Sequence, residues 1–170
     1  MEKQNIYQDI SARTGGEIYL GVVGPVRSGK STFIKRFMEL LVLPEIKDEN
    51  ERKRTMDELP QSGTGKMVMT TEPKFIPKEA AELPMEDMKI KIRLIDCVGF
   101  MIPGAGGNLE NGQERLVKTP WFDYEVPFTK AAEFGTRKVI RDHSTIGILV
   151  TADGSFGEIP RDSYVEAEKK

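Results

Sequence analysis

The stretch Gly24-Pro25-Val26-Arg27-Ser28-Gly29-Lys30-Ser31-Thr32 decides how this chain is read. It fits G-x-x-x-x-G-K-[ST], the loop that cradles a phosphate chain. Before it runs the apolar stretch Ile18-Tyr19-Leu20-Gly21-Val22-Val23, which reads as a strand. After it, Thr32-Phe33-Ile34-Lys35-Arg36-Phe37-Met38-Glu39-Leu40-Leu41 reads as a helix. Strand, glycine loop and helix in that order are the context the motif needs. The glycines let successive backbone N–H groups turn inward around phosphate oxygens, and the helix N-terminus adds unpaired donors with partial positive charge. Lys30 is expected to reach the β- and γ-phosphates and the Ser31 hydroxyl to ligate Mg²⁺. All nine residues, Gly24 to Thr32, are therefore expected at the nucleotide. A glycine turn that matches by chance would not explain why both flanks are right.

Working outward, residues 1–14 are polar with Ile6, Tyr7 and Ile10 at helical spacing, and predict a short amphipathic helix stopped at Gly15-Gly16. The first strand is expected at about 17–23, buried on both faces. The helix after the loop is expected to run to about 42, ended by Pro44. The charge run Lys47-Asp48-Glu49-Asn50-Glu51-Arg52-Lys53-Arg54 reads as a solvated helix face. A small, polar stretch at 61–71 leads to an edge strand at about 73–77, bounded by Pro73 and Pro77. Residues 78–87 read as an acidic loop. Met88-Lys89-Ile90-Lys91-Ile92-Arg93-Leu94-Ile95-Asp96 alternates before turning apolar, the clearest strand in the chain, and is expected to pair with 73–77. Residues 97–128 predict one long loop, functional or partly disordered, residues 129–142 a helix, and Thr145-Ile146-Gly147-Ile148-Leu149-Val150 a third buried strand. Tyr164-Val165-Glu166-Ala167-Glu168-Lys169-Lys170 reads as the start of a helix. The pattern is an α/β class: a mostly parallel sheet sandwiched by helices, divided as 1–16, an N-terminal helix, and 17–170, a phosphate-loop domain whose sheet is expected to continue past this sequence.

Two further stretches complete a switch. Asp96-Cys97-Val98-Gly99 is D-x-x-G at the carboxyl end of a strong strand, where Asp96 can hold Mg²⁺ and the Gly99 N–H can approach a γ-phosphate. Between loop and D-x-x-G, a threonine should reach Mg²⁺ and the γ-phosphate. Thr70 and Thr71 stand where it belongs, and the sequence does not choose between them. Phe100 follows Gly99, where a glutamine often orients the attacking water; phenylalanine cannot do that. Arg27, inside the loop, could supply its guanidinium in cis, or face solvent or a partner. Cys97 reads as a buried small hydrophobe, and His143, without companions, as a surface or helix-end residue. Trp121, Phe122 and Tyr124 read as packing over the nucleotide face rather than as a partner patch. The N-K-x-D loop that reads guanine does not occur, and Thr151-Ala152-Asp153-Gly154-Ser155 is not its equivalent. Motifs alone leave ATP and GTP open.

Composition narrows the function. The 170 residues carry 25 basic and 27 acidic side chains, a net charge of −2, which argues against nucleic-acid binding as the main business. Cys97 is the lone cysteine, so no intramolecular disulfide forms, consistent with a reducing cytosol. No apolar run approaches the ~18 residues of a spanning helix, so membrane association is expected to be indirect.

Gly21 to Thr32, Met69-Thr70-Thr71-Glu72-Pro73, Asp96-Cys97-Val98-Gly99, Thr151 to Gly157 and Ile159-Pro160-Arg161 resemble the stage IV sporulation protein A family over essentially the whole chain. The resemblance implies a P-loop fold similar to translation-factor-related GTPases, but with ATP as substrate. It implies Mg²⁺-dependent hydrolysis coupled to self-assembly into a static polymer at the base of the spore coat. It implies a place in the mother-cell cytoplasm at the forespore outer surface, with other coat proteins as partners and docking assisted by a small amphipathic membrane-bound peptide, stage V sporulation protein M. By motif, Lys30 becomes the phosphate-binding lysine, Ser31 and Asp96 the Mg²⁺ ligands, and Thr70 and Thr71 the sensor threonines. The competing readings are a regulatory GTPase that binds partners in its triphosphate state, and a structural assembly protein with a vestigial site.

Overall fold

The structure, a computed structural model, describes residues 12–61, 71–85, 88–155 and 159–170. Its centre is a four-stranded sheet. β1 (Glu17–Val23) lies between β3 (Met88–Asp96) and β8 (Ile146–Leu149), parallel to both, and β2 (Lys74–Met85) lies antiparallel on the outside of β3. The fold is thus mixed α/β with a partly parallel sheet. Val22 sits opposite Asp96, so the D-x-x-G turn leaves the sheet beside the phosphate loop.

Helices cover both faces. α1 (Lys30–Phe37) continues through a π turn, Met38–Val42, and a 3₁₀ turn, Leu43–Glu45, which contains Pro44. It buries Ile34, Met38 and Val42 against Leu20, Val22, Ile92 and Leu94, the main core. α2 (Glu49–Asp57) is the expected charged helix: Asp48 caps it by accepting the Glu51 N–H at 2.7 Å, and only Thr55 is buried. On the other face, α3 (Phe128–Lys138) and its π turn Val139–His143 set Val139 against Val23, Ile95 and Cys97. α4 (Asp162–Glu168) ends the fold. Residues 12–14 form a helical turn closed by Gly15 and Gly16, both at positive φ; the rest of the expected amino-terminal helix lies outside the described residues.

Three expectations are corrected. The strand expected at 73–77 runs on to Met85. Its second half alternates, with Ala81 and Leu83 buried and Glu82 and Pro84 exposed. An edge strand tolerates its prolines, and the register shift between Ile76 and Ala81 absorbs the irregularity. The long loop at 97–128 contains two hairpins. β4 (Leu109–Glu110) and β5 (Gln113–Glu114) are joined by Asn111-Gly112, both at positive φ as a tight hairpin turn demands. β6 (Leu116–Thr119) and β7 (Phe122–Pro127) are joined across Pro120-Trp121. β8 is not buried: it is an edge of the sheet, with Ile146 and Leu149 exposed.

Candidate functional site

β1 delivers the chain into the loop at Gly24, whose φ of 139° and tight surroundings both require glycine: a Cβ there would stand 2.1 Å from the Val150 carbonyl oxygen. Gly29 caps α1 at φ 94°, and the Phe33 N–H donates back to its carbonyl at 2.9 Å. Between them Arg27 is exposed and held at φ 59°, a left-handed conformation that costs a residue with a Cβ about 1–2 kcal/mol. Ser28 is buried, and its Oγ has no hydrogen-bond partner.

Lys30 opens α1 and is only 4% exposed. Its Nζ donates to the Pro25 carbonyl at 2.6 Å, curling the side chain back over the loop. Burial pulls its pKa below the ordinary lysine value, opposed by the nearby Asp96. Ser31 Oγ donates to Asp96 Oδ2 at 2.7 Å, joining loop and D-x-x-G. The other Asp96 oxygen, Oδ1, is buried without a partner. Burial raises the Asp96 pKa, against the Ser31 hydrogen bond and the positive charges of Lys30 and Lys74. A buried ammonium and a half-satisfied buried carboxylate side by side are a site prepared for further ligands. A hydroxyl and a carboxylate are hard oxygen donors of the kind Mg²⁺ takes, completing its shell with phosphate oxygens and water. Among the described residues no cluster of three His, Cys, Asp or Glu side chains offers an all-protein metal cage.

Gly99 lies against the loop. At φ 95°, a Cβ here would come within 2.2 Å of the Gly24 carbonyl oxygen and 2.7 Å of Lys30 Nζ. The Phe100 N–H donates to Gly24 O at 3.2 Å and the Val26 N–H donates to Phe100 O at 2.8 Å, a short parallel bridge between loop and turn. Phe100 is buried with Val26, Ile102, Ile159 and Tyr164 in a second core. The Gly99 N–H donates to Thr136 Oγ1 on α3 at 3.2 Å, rather than lying open toward the loop. Thr71 is buried, and its carbonyl oxygen lies 2.9 Å from where a Cβ on Gly135 would stand. Thr70 lies outside the described residues. Thr32 is exposed on the first turn of α1.

Several neighbours escaped the sequence reading. Lys74 sits opposite Asp96 in the β2–β3 register. Gly135 and Thr136 touch both the Thr71 segment and the D-x-x-G turn from α3. A glycine followed by a small hydroxyl residue in the middle of a helix was the available signal, since glycine there costs stability unless something packs close. Cys97 is buried as expected, and burial raises its thiol pKa. His143 closes the π turn and is exposed. Trp121 and Phe122 pack on Phe134 of α3, with ring centroids at 5.4 and 5.0 Å, while Tyr124 is exposed.

A model of the stage IV sporulation protein A ATPase domain matches residues 1–170. The chain is 55% identical to stage IV sporulation protein A of Bacillus anthracis and 56% identical to that of Bacillus subtilis (strain 168), in both cases over 100% of this chain and 35% of the relative. It is 58% identical to the protein of that name in Clostridioides difficile (strain 630), over 98% of this chain and 34% of the relative. The chain therefore spans about a third of the length of the relatives it matches. No solved structure matches. No helix among the described residues is long and apolar enough to cross a membrane. The chain belongs to the stage IV sporulation protein A family and corresponds to its ATPase domain.

Proposed function

We propose that this chain is a Mg²⁺-dependent ATPase of the P-loop class, and that hydrolysis drives self-assembly of a spore-coat basement layer on the forespore surface. The observation that carries the catalytic half is the Ser31–Asp96 hydrogen bond at 2.7 Å beside the buried Lys30. The family's ATPase domain favours ATP over GTP as the substrate. In this reading Lys30 exchanges the Pro25 carbonyl for β- and γ-phosphate oxygens, and Ser31 and Asp96 hold Mg²⁺ together with Thr70 or Thr71. The metal supplies charge neutralisation on the phosphates. Arg27, held at the lip of the loop, sets its positive guanidinium against the negative charge on the γ-phosphate oxygens in the transition state. With Phe100 buried, the attacking water takes its orientation from other groups.

Assembly is the second half of the proposal. Loss of the γ-phosphate frees the segments 61–71 and 97–112 to rearrange and expose an assembly surface. Copies of this chain, other coat proteins and stage V sporulation protein M are the proposed partners, with the membrane reached through them.

Phosphate release from ATP and GTP by the wild type and Lys30→Ala, with sedimentable assembly followed in parallel, tests both halves. The expected result is Mg²⁺-dependent release from ATP, lost at least ~100-fold in Lys30→Ala together with assembly. Tight GTP binding without ATP hydrolysis would replace this reading with a regulatory GTPase. Assembly untouched by Lys30→Ala would leave a structural protein with a vestigial site.

A further inference from the structure

The Thr136 hydroxyl has one proton, and it is spent: Oγ1 donates to the Ala132 carbonyl at 2.8 Å. Toward the Gly99 N–H, 3.2 Å away, it can only accept. Thr136 is fully buried, so water does not compete for either contact. On the next residue back on α3, Gly135, a Cβ would stand only 2.9 Å from the Thr71 carbonyl oxygen and 2.8 Å from the Trp121 ring. One turn of one helix thus touches the two segments that the sequence reads as sensors of a γ-phosphate.

We infer that Thr136 is a positioning residue for the triphosphate: it holds the Gly99 N–H until a γ-phosphate takes it. This rests on the nucleotide reading above. A neutral hydroxyl is a weaker acceptor than a charged phosphate oxygen, so the exchange is favourable when a γ-phosphate is present. A diphosphate has no oxygen at that place and leaves the bond as it is. When the N–H departs, the hydroxyl keeps its bond to Ala132 and its contact with the Cys97 sulfur, and loses only an acceptor role. If the N–H lost this acceptor instead, it would be left buried with only the Cys97 sulfur, a weak acceptor, beside it in the ligand-free protein, the more costly situation. Thr136 therefore sets how strongly the site prefers a triphosphate to a diphosphate, without touching either. Gly135, by leaving room for the Thr71 segment, lets the same turn of α3 carry both sensors.

The test compares dissociation constants for ADP and a non-hydrolysable ATP analogue, both with Mg²⁺, on the whole polypeptide. Thr136→Val keeps the shape and removes the acceptor; Thr136→Ser keeps the acceptor. The Thr136→Val variant is expected to raise the preference for the ATP analogue over ADP by about 2- to 10-fold, the range of one hydrogen bond. Thr136→Ser is expected to keep the wild-type ratio. A purely structural threonine would shift both nucleotides together, so an unchanged ratio in Thr136→Val overturns the inference. So does a Thr136→Ser variant whose ratio departs from wild type; should the valine variant fail to fold, Thr136→Ala also removes the acceptor and carries the same expected rise in the ratio, with an unchanged ratio again overturning the inference. Wild-type protein that binds neither nucleotide overturns the ATPase reading and this inference with it.

Discussion

Asp96 leaves β3 with one oxygen taken by the Ser31 hydroxyl and the other buried and unpartnered. Burial holds its pKa above the ordinary carboxylate value. The folded chain therefore binds this proton more tightly than the unfolded chain does. The ligand-free fold loses stability as pH rises from the ordinary carboxylate range through the raised Asp96 value. Lys30 works the other way: its lowered pKa means the fold gains stability as pH rises through that value. Burial makes either charge costly in the ligand-free fold, a cost that Mg²⁺ and phosphate would relieve. Asp96→Asn keeps an acceptor for Ser31 and removes the charge. The expected outcome is a ligand-free protein more stable by about 1 kcal/mol in urea denaturation at neutral pH, with Mg²⁺-dependent hydrolysis abolished. A variant no more stable than wild type would mean the buried carboxylate costs the fold nothing.

At the scale of elements, α4 is seated on its core by Tyr164 and Ala167 and closed on its outer side by a clasp. Arg161 Nη1 and Nη2 donate to the two Glu168 oxygens at 2.5 and 2.8 Å, Nη1 also reaches the Ala152 carbonyl at 3.3 Å, and the Thr151 hydroxyl donates to Glu168. The Arg161 and Thr151 hydrogen bonds lower the Glu168 pKa to about 2. A depressed carboxylate contributes stability above its ordinary value and loses it as pH falls through about 2. NMR titration should find the Glu168 carboxyl ionising near 2 in the wild type and shifted up toward the ordinary glutamate range in Arg161→Ala, where only the Thr151 hydrogen bond remains. Equal titration in both would remove the clasp as the cause. These elements also show what sequence can carry. β1, β3 and α1 were legible because their apolar periodicity is the same physics that buries them. The second half of β2 was not: acidic residues and Pro84 mimic a loop, and only an edge position makes them tolerable. Asn111-Gly112 did signal a hairpin, but two-residue strands carry no alternation to support it. In the site, Lys30, Ser31 and Asp96 were legible as motifs of local backbone. Thr136 was not, because its role depends on how α3 packs across the turn at Gly99, a relation that no spacing records.

Over the whole molecule, two cores serve different ends. The larger one, between the sheet and α1, contains Leu20, Val22, Ile34 and Leu94 and fixes the frame on which the phosphate loop stands. The smaller one joins Val26 of that loop and Phe100 of the D-x-x-G turn to Ile159, Tyr164 and Ala167 around α4. The backbone bridge between Val26 and Phe100 makes this second core a wall of the candidate site. A phenylalanine where water would need a glutamine is thereby explained in structural terms: Phe100 is 4% exposed and packs α4 onto the loop. Damage to α4 should consequently be felt at the nucleotide. Tyr164 is 2% exposed and distant in sequence from every motif. Tyr164→Ala should cost about 3 kcal/mol in urea denaturation, as expected for a large aromatic lost from a core. It should also weaken nucleotide binding by loosening Val26 and Phe100. By contrast, truncating Met38 to Ala in the larger core, where it is fully buried, should cost a similar ~2–5 kcal/mol. Both variants are to be compared at a urea concentration where each remains folded. There, nucleotide affinity should fall more for Tyr164→Ala than for Met38→Ala. Equal affinities would mean the second core is packing alone, with no hold on the loop.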